Sequence, residues 1–305
     1  MQVTIKDSER GLAVRRQKYA HYQDNLTAAE NRWARELSEL HNQGYTILRE
    51  FVPRQQALGI GVAFTAHCRR GEYLQPARDL RQLAGLKDWT RCPRLTAEDM
   101  KKGEAWLHSR TNIAQIEQPL LHFPELAFIA LHETILDITG AHLGALPLMS
   151  FLKMRKSFAS TLPLFDTELF HIDGNSRSLL KGMLFLSDID AETGPHEFIA
   201  GTQGTTQHLT GYERYPRAEM VRQYGEDRIH SITGKAGDFI IEDTTGFHCA
   251  GRPVRGDRSL VIFNYVLHPE YGYDAAERAT IKLAQDVWDR LSPRQQAAAE
   301  ELVLI

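Results

Sequence analysis

The stretch Gly237-Asp-Phe-Ile-Ile-Glu-Asp-Thr-Thr-Gly-Phe-His248 combines a glycine turn, an apolar strand and a second turn, and ten residues after His248 another apolar strand begins at Arg258. Similar short strands, bounded by Gly, Pro, Asp and Asn, extend outward from it. They are predicted at residues 148–156, 169–172, 179–186, 196–199, 228–232, 238–242 and 259–267. This spacing predicts a mainly β fold with α decorations, built on a double-stranded β-helix core of the jelly-roll, cupin-like kind.

Helical patterns flank these strands on both sides. Apolar residues recur at helical spacing over 27–42, after Pro53 through 64 and over 125–136, with a short strand at 45–49. Two further helices are predicted at 275–290 and 293–302. We therefore expect a single domain over 1–305, with a mainly helical part to about 143, a jelly-roll core over 144–270 and C-terminal helices over 271–305.

Composition narrows the function classes. The chain has 305 residues, a formal net charge of −3, 42% hydrophobic and 25% charged residues, which is typical of a soluble globular protein and argues against a nucleic-acid partner. Its 3 cysteines lack the paired spacing of a disulfide framework or a thiolate zinc site. Because no apolar run reaches membrane-spanning length and the first residues lack the apolar core of a secretory signal, we expect a cytoplasmic protein without a membrane partner.

A candidate metal site lies in Phe170-His171-Ile172-Asp173-Gly174. Residues i and i+2 of an extended chain point to the same face, so His171 and Asp173 can be ligands together. His248 is the candidate third ligand. Two imidazoles and a carboxylate with open positions are typical of non-haem Fe(II) oxygenases, whereas a His-x-Asp pair alone also occurs as structural polar residues.

Arg258 is the candidate residue for a carboxylate, because its planar fork of donors suits a carboxylate held in one orientation, such as the distal group of 2-oxoglutarate. Arg252 and Arg255 are nearby alternatives in a Gly/Pro loop, but Arg258 begins an apolar strand whose inward positions are set by the pleat. We expect a structural role for His196, and strand alternation predicts that Cys249 points away from the metal.

The order His171-x-Asp173, Asp188-Ile-Asp-Ala-Glu-Thr-Gly-Pro195, His248, Arg258 resembles the phytanoyl-CoA dioxygenase family over about residues 44–269. The family's Pro-Gly-Ser-His-like motif reads Ile199-Ala-Gly-Thr-Gln203 here, a departure that affects the pocket wall. The resemblance implies Fe(II), 2-oxoglutarate as cosubstrate and O2. It also implies that Lys153 and Met183 lie on strands bordering the cosubstrate pocket.

The resemblance further implies that 2-oxoglutarate is split to succinate and CO2 while a C–H bond of a small organic molecule is oxidised. Hydroxylation is the expected outcome, with desaturation, ring closure or epoxidation as alternatives, and Asp173 disfavours halogenation because halogenating relatives have a small residue there. Two other classes stay open: a cupin-like metalloenzyme without a cosubstrate, and a barrel that only binds a ligand. The loops 69–102 and 201–227, with Trp89 and Trp106, are candidate covers of the site, and substrate identity and oligomeric state are not indicated.

Overall fold

The computed structural model describes residues 5–69, 113–116, 118–160, 164, 166–173, 178–206, 213–267 and 281–305. Within them, antiparallel β-sheets are combined with helices that precede and follow them, as predicted. The α-helices are α1 (Ile5–Lys18), α2 (Gln23–Arg32), α3 (Ala34–Gln43), α4 (Arg54–Arg69), α5 (Pro119–His122), α6 (Glu125–Ala130), α7 (Glu133–Leu143), α8 (Arg217–Tyr224), α9 (Gln285–Trp288) and α10 (Pro293–Ala298). In this described part of the chain, no helix has the length and apolar character needed to cross a bilayer.

Two predicted helices are each divided in two. The helix predicted over 27–42 is broken at Trp33, which leaves helical geometry (φ −111°, ψ 29°) and donates its indole N–H to Asp137 Oδ2 at 3.3 Å. The helix predicted over 125–136 is broken before α7, where the His132 side chain caps the new helix by accepting from the Thr134 N–H at 3.2 Å. Both breaks depend on side-chain contacts that helical periodicity does not contain.

The strands are β1 (Tyr45–Leu48), β2 (Ile113–Ile116), β3 (Leu148–Phe158), β4 (Leu179–Phe185), β5 (His196–Ile199), β6 (Ile229–Ile232), β7 (Phe239–Glu242), β8 (His248–Ala250), β9 (Asp257–Val266), β10 (Lys282–Leu283) and β11 (Val303–Leu304). The larger sheet has the order β1-β7-β4-β9-β3-β2, and a three-stranded sheet has the order β6-β5-β8. In both sheets neighbouring strands are antiparallel.

The larger sheet separates two apolar clusters. Its outward side chains, including Phe239, Phe263 and Tyr265, pack with the helices in the main core, and the Tyr265 hydroxyl donates to Ala130 O at 2.8 Å. Its inward side chains, including Met183 and Leu260, pack with Phe198, Ile232 and other side chains of the smaller sheet. Alternation along each strand therefore directs one set of residues to the helices and the other to the space between the sheets.

Several predicted elements differ from the structure. The predicted strand 169–172 contains only isolated bridges at Phe170 and His171. The part of the predicted helix 275–290 that lies within the described residues begins with β10, which pairs in parallel with β11, and only α9 is helical. Strands β2 and β8 and helix α8 were not predicted. Residues 70–102, Trp89, Trp106, residues 207–212 and residues 268–280 lie outside the described residues.

Candidate metal and cosubstrate site

The two candidate histidine ligands are joined through their backbones. His171 and His248 exchange N–H···O bonds of 3.0 Å in both directions. Each imidazole also donates from Nδ1 to the carbonyl two residues earlier, His171 to Leu169 O at 2.9 Å and His248 to Gly246 O at 3.0 Å. A neutral imidazole that donates from Nδ1 has its lone pair on Nε2, so both side chains present the nitrogen that a metal needs.

The candidate carboxylate ligand lies beside them. The Asp173 N–H donates to Thr244 O at 2.9 Å, which links the loop after His171 to the turn before His248. Asp173 Oδ2 is 3.7 Å from His248 Nε2, and one ligand atom from each of the three residues lies within 4.8 Å of the others. His248 Nε2 is buried without a hydrogen-bond partner in the part of the chain that the structure describes. This donor set fits a divalent metal with affinity for nitrogen and oxygen.

The protonation states also suit metal binding. Burial lowers the pKa of His171 and of His248 to about 3, so both imidazoles are neutral near pH 7. Burial by itself raises the pKa of Asp173, but the neighbouring Lys181 ammonium, joined at low pH by the protonated imidazoles, outweighs it and holds that pKa well below its usual range. The site therefore offers two neutral ligands and one anionic ligand without a deprotonation cost.

Arg258 is buried, with 2% of its surface exposed, and its described partners are neutral. It donates to Gly194 O and, at 3.4 Å, to Ser157 Oγ, while its Nε has no hydrogen-bond partner among the described residues. Burial first, and then repulsion by Arg155, lowers the Arg258 pKa to about 10, so the guanidinium stays charged at neutral pH. A buried cation without a carboxylate partner in the described chain is a strong candidate for binding an anion.

One cavity connects the metal ligands to this arginine. Its lining includes His171, His248, Lys181, Met183, Arg155 and Arg258. Arg155 was not predicted as a site residue. It lies opposite Leu260 on the cavity side and donates to Gln115 Oε1 at 3.2 and 3.3 Å.

Lys153 lies on the same face of β3 as Arg155, opposite Ile262, but it is not among the described residues that line the cavity. Met183 lines the cavity.

The two alternative arginines have carboxylate partners outside this cavity. Arg252 Nε donates to Glu168 Oε1 at 2.6 Å, and Arg255 forms an ion pair with Glu192 while its side chain is 78% exposed. Their charges are therefore already compensated, which favours Arg258 as the cavity residue for a carboxylate.

A buried pair formed by His196 and Glu242, which was not predicted from the sequence, lies next to the metal-ligand candidates. The His196 Nε2 atom is 3.0 and 2.9 Å from the two carboxylate oxygens of Glu242, and its ring centroid is 5.5 Å from that of His248. Glu242 is fully buried, and burial raises its pKa to about 7. A single acidic residue at the end of an otherwise apolar strand was the available sequence signal.

Cys249 faces away from the cavity, in agreement with strand alternation. Its Sγ lies 3.7 Å from Glu197 Oε2, and both residues line a groove of about 790 Å³ on the other face of the smaller sheet. This larger groove includes none of the three metal-ligand candidates, so its size has no bearing on them.

None of the family models matches the sequence, and none of the curated proteins matches it. Among solved structures, AviO1 from Streptomyces viridochromogenes Tue57 is 12% identical with a TM-score of 0.50 over 76% of this chain and 94% of that chain. SnoN in complex with Fe3+, alpha ketoglutarate and nogalamycin RO is 17% identical over 77% and 84%, with a TM-score of 0.49. EctD from S. alaskensis with 2-oxoglutarate and 5-hydroxyectoine is 17% identical over 76% and 75%, with a TM-score of 0.49.

The similar structures thus include proteins that hold iron and 2-oxoglutarate, and SnoN is described as a non-heme alpha ketoglutarate dependent epimerase. The likeness to AviO1 shows the fold alone, because the sequences are so different. The chemistry of this chain therefore has to be inferred from its own residues.

Proposed function

We propose that this chain is an Fe(II)- and 2-oxoglutarate-dependent dioxygenase that hydroxylates an unactivated C–H bond of a small organic molecule, with release of succinate and CO2. The observation that carries the proposal is the placement of buried Arg258, which has no described carboxylate partner, in the same cavity as His171 and His248, with Asp173 beside these two histidines. A metal site alone does not require this arginine, but a cosubstrate with a distal carboxylate does.

In this proposal His171, Asp173 and His248 hold the iron, which when bound supplies the O2-dependent oxidation chemistry. The carbonyl partners of the two Nδ1 atoms orient the imidazoles, and the Asp173 backbone bond fixes the third ligand. Arg258 holds the distal carboxylate of 2-oxoglutarate. Apolar side chains between the two ends, such as Met183 and Leu260, keep water from the cosubstrate.

The cavity has a volume of about 50 Å³. Its lining includes the flexible Met183 and Lys181 side chains, which can change rotamer around a bound cosubstrate. Arg155 is a proposed second cation for the distal carboxylate because it lines the cavity. Lys153, on the same strand face, is a proposed neighbour of the cosubstrate with weaker support.

The two sheets enclose the site in the manner of a double-stranded β-helix, and we assign this jelly-roll architecture and the phytanoyl-CoA dioxygenase type as part of the proposal. The antiparallel pairing, the packing of inward side chains from both sheets and the His171–His248 bridge support it. The prime substrate is proposed to be a small molecule.

The alternative functions differ in whether they need Arg258. A cupin-like metalloenzyme without cosubstrate needs the metal ligands but not the arginine, and a non-catalytic ligand-binding barrel needs neither. The buried guanidinium, which has no carboxylate bonded to it among the described residues, favours the first proposal over both.

The deciding experiment is an anaerobic Fe(II) titration followed by 2-oxoglutarate, watched for a visible charge-transfer band, and then a screen of metabolite pools for succinate formed above the uncoupled background. A band that depends on both additions supports the proposal. Metal binding without any response to 2-oxoglutarate indicates the cupin-like alternative, and no metal binding indicates the ligand-binding barrel.

A further inference from the structure

Four polar side chains lie side by side across the inward face of the larger sheet. The registers pair Tyr45 with Glu242, Glu242 with Lys181, and Lys181 with Asn264. Two residues further along these strands the same face is apolar, with Ile47, Ile240, Met183 and Ile262 side by side. The polar row is therefore a local feature of the barrel interior, and Asp173 is its neighbour from outside the sheet.

Lys181 is the cation in this row, and its described ion-pair partner is a metal-ligand candidate. Its ammonium contacts Asp173 Oδ2, and its side chain is only 19% exposed. Glu242 is adjacent in register, but its two oxygens are directed to His196 at 3.0 and 2.9 Å. Among the described residues, Asp173 is thus the carboxylate in ion-pair contact with Lys181, whereas the ammonium acts on Glu242 without such a contact.

Metal binding changes this balance. A carboxylate that coordinates a divalent cation shares its charge with that cation, so it compensates a neighbouring ammonium less well. A mostly buried ammonium beside a dication then requires another anion, because burying an uncompensated charge is costly. Arg258 does not serve as the partner of that anion, because it lies six residues from Asn264 along β9 and is assigned to the distal carboxylate of the cosubstrate in the proposed function.

We propose that Lys181 binds an anionic group of a ligand at the metal end of the cavity, a carboxylate or a similar anion. This inference rests on the proposed function and adds a determinant of ligand charge to it. The anion has two possible sources, the keto-acid end of the cosubstrate or an acidic group of the prime substrate. In either case Lys181 supplies a positive charge and hydrogen-bond donors, and the experiment below distinguishes the two sources.

The test uses wild type, Lys181→Met, Lys181→Arg and Lys235→Met, loaded anaerobically with Co(II), whose visible spectrum reports coordination. Lys235 is a matched control, because its side chain is 70% exposed and pairs with Asp188. Each protein is titrated with Co(II), with oxalate, which is too short to reach Arg258 from the metal, and with 2-oxoglutarate. Lys181→Met is expected to keep or increase the affinity for Co(II). If the keto-acid end is the anion, the same variant should bind oxalate and 2-oxoglutarate at least about tenfold more weakly than wild type. Lys181→Arg should retain most of the binding.

If oxalate and 2-oxoglutarate bind Lys181→Met as they bind wild type, the second arm examines the prime-substrate source. The Co(II)–2-oxoglutarate complexes are titrated with acetate, inorganic phosphate and neutral acetamide. A response to the anions in wild type that is lost in Lys181→Met, with no response to acetamide, supports the second source. Equal behaviour of the two proteins in both arms overturns the proposal.

Loss of Co(II) affinity in Lys181→Met also overturns it, because Lys181 would then serve only to position Asp173. Failure of the proposed function gives a different pattern. Wild type would then not bind Co(II), or its 2-oxoglutarate affinity would not depend on Arg258.

Discussion

Replacing Arg258 with alanine tests whether the far end of the cavity is a carboxylate site. The guanidinium is 2% exposed, donates to a carbonyl and a hydroxyl, and has no acidic partner among the described residues. A bound distal carboxylate would be its first full counter-charge. The alanine variant removes both the charge and the fork of donors while leaving His171, Asp173 and His248 in place.

The expected magnitude follows from this burial. Truncating one partner of a buried, hydrogen-bonded charge pair costs roughly 2–5 kcal/mol, and each 1.4 kcal/mol is about tenfold in affinity. Arg258→Ala should therefore weaken 2-oxoglutarate by at least about thirtyfold. Arg258→Lys should fall between alanine and wild type, since it keeps the charge but loses the fork. Metal affinity should be nearly unchanged, because no ligand is removed.

The assay is an anaerobic titration of metal-loaded wild type, Arg258→Ala and Arg258→Lys with 2-oxoglutarate and with oxalate. Oxalate is the internal control, since it lacks the distal carboxylate and should bind all three proteins alike. Thermal unfolding detects any damage from the loss of the donor to Gly194 O. If Arg258→Ala is folded and binds 2-oxoglutarate with the affinity of wild type, Arg258 does not hold the distal carboxylate. Arg155 and then Lys153 then become the residues to examine.

Three further predictions concern other parts of the site. His248→Ala should abolish metal binding and succinate formation while circular dichroism stays native, and undiminished turnover would contradict the ligand assignment. Burial raises the Glu242 pKa from 4.5 to about 7, so its contribution to stability is full below pH 4.5 and is lost as the pH rises through 7. The free energy of unfolding of metal-free wild type should therefore fall between pH 5 and pH 8, by up to roughly 3 kcal/mol more than that of Glu242→Gln, as measured by denaturant melts. Equal changes in the two proteins would exclude this role of Glu242. Arg155→Ala should weaken 2-oxoglutarate more than Lys153→Ala does in the same titration, because Arg155 lines the cavity; the reverse order would favour Lys153.

Strand alternation and turn residues were sufficient to predict much of the sheet. Strand β5 lies where the alternation predicts it, and β4, β6 and β7 differ from prediction by one residue at an end. Period-two patterns are local, so they can be read without knowing the strand's partners. The spacing of His171 and Asp173 was likewise local. Their meeting with His248 could only be hypothesised, because it depends on a backbone bridge between segments distant in sequence.

The two helix breaks could not be predicted, because helical periodicity contains neither of their causes. Trp33 interrupts a continuous helical pattern and contacts Asp137, about a hundred residues away. His132 caps α7 in the middle of an apolar run that looks like a single helix. At Trp33 a tertiary contact overrides the local helical preference, and at His132 a local side-chain cap starts a new helix. Short strands such as β2 are equally hard to predict, since their pairing with a neighbour stabilises them more than their own sequence does.

Arg155 was missed for a related reason, the phase of a strand. In β3 the sequence Lys153-Met-Arg155-Lys156 offers three cations, and only the register with β9 decides which of them face the interior. Lys153 and Arg155 share a face, whereas Lys156 points to the other side and pairs with Asp257 at 2.7 Å. A register irregularity between Met149 and Phe151 changes the phase of the strand before this segment, so counting from the start of β3 would assign the faces wrongly.

The space between the two sheets differs from an ordinary apolar core. The strand pattern of Phe239–Glu242 predicts apolar side chains at inward positions. Glu242 nevertheless occupies one of them and is fully buried, with Lys181 adjacent in register. Burying an acid and an ammonium costs several kcal/mol each unless partners compensate them. Here His196 bonds to the acid and Asp173 pairs with the ammonium, so the compensation comes from side chains that also line or form the metal site. Apolar residues at these positions would pack without this cost. The polar row is therefore difficult to explain as a stabilising feature of the fold, and it is readily explained as the inner wall of a site that takes charged ligands.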